Sequence, residues 1–120
     1  MNARLSKYRI KEGKSKQVDQ WMDMLNQNMD KVLIILKNEN LVVETMFREK
    51  GEDGEYLYWY AVKGKEKEVQ LSDEETNKKN EIIKEHFQYW EECIVQDEEM
   101  PAIATEVMMV PDHISKVMDE

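Results

Sequence analysis

The 120-residue chain holds one cysteine, two prolines, two histidines and four glycines. A single cysteine excludes an internal disulfide and fits a reducing cytoplasm. Cys93 itself reads as a small buried hydrophobe on a helix. Two scattered histidines and one cysteine fall short of a structural zinc site. No apolar run approaches the ~20 residues that span a bilayer. The opening "MNARLSKYRI" has no apolar core of the kind found in secretory leaders. A cytoplasmic protein without a membrane partner is therefore expected. A glycine-rich phosphate loop, a nucleophile elbow and any metal-ligand spacing are also missing, so neither cofactor nor metal is expected. The serines Ser6, Ser15, Ser72 and Ser115 fall in strand, cap or tail contexts, with no triad motif around them.

What is present is a 41% hydrophobic fraction, enough for the core of one ordinary domain, and 36% charged residues. The net charge of −9 is unevenly spread. Residues 1–63 carry 11 basic and 10 acidic side chains, residues 64–99 carry 5 and 12, and residues 100–120 carry 1 and 4. An acidic second half repels phosphate backbones, which argues against nucleic acid as a partner. The locally basic "RLSKYRIKEGKSK" reads as the solvated end of a strand.

"ARLSKYRIK" alternates and predicts a first strand. After the turn "KEGKS", with Ser15 as helix N-cap, apolar residues recur at Val18, Trp21, Met22, Leu25, Met29, Val32, Leu33 and Leu36. Steps of three and four predict one amphipathic helix of about six turns, ended by "NEN". "LVVETMFREK" and "YLYWYAVK", separated by "GEDGE", predict an antiparallel hairpin. Ser72 and Glu75 form a capping box before a second helix, which buries Ile83, Phe87, Trp90 and Ile94, with Ile82, His86, Tyr89 and Cys93 alongside. "QDEEMP" ends that helix. "AIATEVMMV", bracketed by Pro101 and Pro111, predicts a short edge strand. The order β-α-β-β-α-β predicts an α+β, ferredoxin-like domain over residues 1–111. Its four-stranded antiparallel sheet carries two helices on one face, with strands one and three central. Residues 112–120 form a tail or short helix.

Such a sheet has one face without helices. Yet "EYLYWYAVK" sends Tyr56, Tyr58 and Tyr60 to one side and Leu57, Trp59 and Ala61 to the other. A sheet apolar on both faces points to a homodimer through its open face, since two-fold dimers are the commonest assembly. Glu44 and Glu106, mid-strand on expected edges, read as protection against edge pairing.

"YRIKEGKSKQVDQWMDML", "EYLYWYAVK" and "EHFQYWEECI" together resemble a family of uncharacterised bacterial proteins in the dimeric α/β-barrel superfamily. The resemblance covers nearly the whole chain and leaves out "DHISKVMDE". It implies the ferredoxin-like fold and the dimer, and no activity. The wider superfamily includes cofactor-free monooxygenases, lactone isomerases and haem-degrading oxygenases. Trp59 and His86 superficially match the haem-degrading set, but their spacing and context do not.

His86 is the candidate catalytic residue, because a histidine beside the core can titrate near neutral pH. Tyr58, Tyr60, His86 and Tyr89 are the candidate ligand-binding residues, for a small apolar or aromatic ligand. The favoured function is a small-molecule binding or sensing module. The alternative is a cofactor-independent monooxygenase- or isomerase-like enzyme using His86 or a tyrosine for proton transfer. An enclosed space of about 300 Å3 or more shared by His86 and a tyrosine hydroxyl would favour the enzyme.

Overall fold

Three strands, β1 (Asn2–Arg9), β2 (Leu41–Gly51) and β3 (Gly54–Lys63), form one antiparallel sheet in the order β1-β3-β2. Among the described residues four helices accompany it: α1 (Ser15–Gln27), α2 (Met29–Glu39), α3 (Asp73–Cys93) and α4 (Asp112–Met118). The computed structural model describes residues 2–65, 69–97 and 100–118. Parts of the expected loop (66–68), of the "QDEEMP" stop (98–99) and of the tail (119–120) lie outside those residues.

This is not the four-stranded ferredoxin-like βαββαβ sheet that the sequence predicts, nor the barrel built on it. The order is β-α-α-β-β-α-α, and the sheet has three strands. Two local causes account for the difference. The first is Asn28, which splits the expected long helix at φ −116° and ψ 33°. Its side-chain amide donates to the Met24 carbonyl at 2.8 Å, and its backbone N–H reaches the same oxygen at 3.1 Å. An asparagine amide that competes for a helical carbonyl favours a break over continuation.

The second cause lies in the expected fourth strand. Ile103 alone bridges to Leu5, its N–H donating to the Leu5 carbonyl at 3.1 Å. At the next position the Thr105 hydroxyl donates to the Ala3 carbonyl at 3.3 Å, in place of a backbone rung. Counting on in that register, Val107 has already passed Asn2, the first residue of β1. No ladder is left to extend. The segment continues exposed, with Val107 at 69% and Met109 at 83% of their full accessibility. The far end of the same β1 edge is closed by Ile94, which bridges to Ile10.

The elements nearer the core follow their local chemistry. The β2–β3 hairpin turns through Glu52 and Asp53, with Gly51 paired to Gly54. Gly54 sits at φ 147°, a conformation that side chains rarely adopt. Helix α3 opens on a complete capping box, in which Ser72 accepts from the Glu75 N–H and the Glu75 carboxylate accepts from the Ser72 N–H. Helix α2 ends at Asn40 in the left-handed region, φ 53°, where its N–H returns to the Leu36 and Lys37 carbonyls. Ser15 is not a cap. It lies inside α1, and its hydroxyl donates to Glu55 at 3.2 Å.

The core sits between one face of the sheet and helices α1 and α3. It gathers Ile10, Val18, Trp21, Met24, Leu57, Ile82, Cys93 and Ile94. Tyr8, Trp59, Tyr89 and Trp90 pack around these residues. Ser72→Ala should lower the stability of the chain by about 1 kcal/mol, through loss of one capping acceptor, without changing the slope of a urea denaturation curve.

Candidate functional site

Strand pairing sorts every side chain of the sheet onto one face or the other. On the helix-covered face the register sets three rows: Tyr8–Leu57–Arg48, Ser6–Trp59–Met46 and Arg4–Ala61–Glu44. On the opposite face the matching rows are Arg9–Tyr56–Glu49, Lys7–Tyr58–Phe47 and Leu5–Tyr60–Thr45.

The first row is closed by packing and by Arg48, which pairs with Asp19 and donates to the Ser15 carbonyl at 3.1 Å. Beyond it the helices leave space. A cleft of about 1000 Å3 opens over the other two rows. Its floor is Arg4, Ser6, Tyr8, Glu44, Trp59 and Ala61, and the end of α2 contributes Asn38 and Glu39. Asn2, Leu41 and Lys63 lie at its outer end.

Glu44 is the chemically distinctive group here. Burial pushes its carboxyl above the usual carboxylate range, and the neighbouring charge of Glu39 pushes the same way. The Trp59 indole N–H and the more distant Arg4 pull it back. The indole lies near enough to oppose the shift, although the pair falls short of regular hydrogen-bond geometry. Glu44 lies mid-strand on β2, an edge strand of the sheet, as a half-buried carboxyl within the cleft. Glu106 is exposed on the C-terminal arm.

The residues singled out from sequence do not converge on this cleft. His86, on α3, is held among aromatic rings. Its Nδ1 accepts the Trp21 indole N–H at 3.0 Å, and its ring meets the Trp59 ring edge-on at 5.3 Å. Accepting at Nδ1 places the proton of the neutral ring on Nε2. Burial holds the His86 pKa below its ordinary value. Tyr89 stacks parallel to Trp21 at 6.4 Å. Tyr58 and Tyr60 lie on the opposite face of the sheet, where the Tyr58 hydroxyl donates to Glu49 at 3.0 Å.

That opposite face covers itself at one end. Lys7 lies 4.1 Å above the Tyr56 ring, and Arg9 donates to the Tyr56 hydroxyl at 2.7 Å. The hydroxyl in turn donates to Asp53 at 2.9 Å, and Tyr56 is 5% exposed. Cations from β1 roof these rings by cation–π contact. At the other end Phe47 and Val43 stay open, at 57% and 40%.

Among the described residues no group of three His, Cys, Asp or Glu side chains could hold a metal ion. Among the same residues no helix is long and apolar enough to cross a membrane.

Two outcomes check this electrostatic picture. Because the His86 pKa is lower in the fold than in the unfolded chain, its contribution is present above about pH 6.5. That contribution is lost as pH falls below 6.5 toward the depressed native value. His86→Gln, which keeps an acceptor for Trp21, should flatten the stability-against-pH curve in that interval. In a carboxyl NMR titration Glu44 should protonate at higher pH than exposed glutamates. Trp59→Phe, which removes the opposing N–H, should raise that midpoint further.

No curated protein and no solved structure matches this sequence. Residues 1–116 match the model of a family of unknown function, DUF6176. That match spans nearly the whole chain, and the protein belongs to the DUF6176 family.

Proposed function

We propose that this protein is a small-molecule binding module that works as a homodimer, with its ligand in the cleft over Trp59 and Ala61. The carrying observation is the half-buried carboxyl of Glu44, at the floor of a roughly 1000 Å3 hollow. A folded protein that gains nothing from such a group tends to solvate or pair it, because burial of a carboxylate is costly. The volume suits a metabolite-sized ligand. The ring of Trp59 and the methyl of Ala61 offer apolar contact, while Arg4, Ser6 and Tyr8 offer orienting polar groups.

The homodimer uses the open end of the other sheet face, centred on Phe47 and Val43, with Lys7 and Arg9 as a charged rim. Two observations support it. Phe47 and Val43 lie on one face of β2, on either side of Thr45, and both are exposed. The chain is also less compact than one domain of its length, with a radius of gyration of 15.8 Å against about 13.6 Å expected.

The binding half is tested by following the indole N–H resonances during a screen of small metabolites. A ligand in the cleft shifts Trp59 and leaves Trp21 in place, and Ala61→Leu, which raises the floor, abolishes the shift. A broad screen in which Trp59 never moves overturns this reading. For the dimer, sedimentation at micromolar concentration should give twice the chain mass, reduced to one chain by Phe47→Glu.

A further inference from the structure

The cleft is electrically lopsided. Arg4 and Glu44 both pair with Ala61, one from each neighbouring strand, so they occupy the same row of the same face. Their backbones are separated by two inter-strand spacings, about 9.6 Å. Ala61 between them carries only a methyl group, so the floor of the row is low at its middle. Glu39, from the end of α2, adds a second carboxylate on the β2 side, near enough to act on Glu44. Arg4, on the β1 side, is exposed and makes no hydrogen bond or ion pair among the described residues. The row thus has an unpaired guanidinium at one end, two carboxyl groups at the other and a gap between. Trp59 presents a ring in the adjoining row.

We infer that the cleft takes a small zwitterion, with its carboxylate on Arg4, its ammonium between Glu44 and Glu39, and its body across Ala61 against Trp59. This rests on the binding reading above and narrows it to one chemical class. A guanidinium recognises a carboxylate by paired charge-assisted hydrogen bonds. An ammonium placed between two carboxyl groups removes their mutual repulsion and gives Glu44 donors beyond the Trp59 N–H. A ligand with one charge satisfies only one end. A neutral ligand leaves both unpaired and still displaces water from them, which costs affinity.

The test uses the full chain and three sets of probes, with Trp59 as reporter. The first set is ω-amino acids from glycine to 6-aminohexanoate, with phenylalanine. The second is the same molecules without the amino group, and the third the same molecules without the carboxylate. At least one zwitterion should bind about tenfold or more tightly than both of its singly charged partners. Arg4→Gln should bring its affinity down to that of the amine. Glu44→Gln should bring it down to that of the acid. Should Glu44→Gln fail to fold, Arg4→Glu on the exposed end carries the test, by reversing the preference for carboxylate. The inference is overturned if singly charged probes bind as well as the zwitterions, or if both substitutions weaken all three sets equally. It is also overturned if no zwitterion moves Trp59 while other metabolites do, and in each of these cases the cleft reading stands. A Trp59 signal unmoved by any probe and by the broad screen overturns both.

Discussion

Trp21 has no exposed surface, and its indole carries an N–H that must find an acceptor in an otherwise apolar interior. His86 provides it. An indole N–H left alone at that depth would cost on the order of 1–3 kcal/mol, so the bond is a condition of the packing around it. It ties α1 to α3, selects the tautomer of His86, and sets the edge of that ring against Trp59. Trp59 is also part of the floor of the cleft. The residue with the most obvious catalytic character in the sequence is thus occupied as a structural acceptor, one ring removed from the cleft.

The two faces of the sheet solve the problem of their aromatic residues in different ways. On one, α3 brings Trp90 onto Tyr8 and Trp59 at centroid distances of 4.5 and 5.8 Å, and Trp21 of α1 meets Trp90 at 6.1 Å. On the other, β1 lends Lys7 and Arg9 to the Tyr56 end. A tyrosine-rich strand therefore does not by itself require a second chain as cover. Only Phe47 and Val43, which no cation reaches, keep that requirement alive.

Much of the architecture was legible because the signals are local. The hairpin needed only two glycines and alternation, and α3 needed only Ser72, Glu75 and a periodic stripe. What the sequence hid depends on competition or on register. The apolar spacing runs unbroken from Val18 to Leu36, so nothing in its period reveals that the Asn28 amide takes the Met24 carbonyl. "AIATEVMMV" has the composition of a strand, but the offset that carries it past the end of β1 is a matter of pairing. The cleft was nearly readable. Glu44 shares parity with Met46, which packs on the core, and Arg4 shares parity with Tyr8. Parity alone puts both charges on the helix face. It does not show that the helices stop short of covering them and leave a cleft beside the edge strand.

The break at Asn28 also separates two mechanical roles. Helix α1 buries Val18, Trp21 and Met24, whereas α2 contains no fully buried residue. Helix α2 meets the interior instead through half-buried Val32 and Ile35, through the Lys31–Glu81 and Lys37–Glu75 ion pairs to α3, and through Asn38, which accepts from Lys79 at 2.7 Å. The rim that Asn38 gives the hollow is thus fastened to α3, and its width is set by the same contacts that hold the helical layer together.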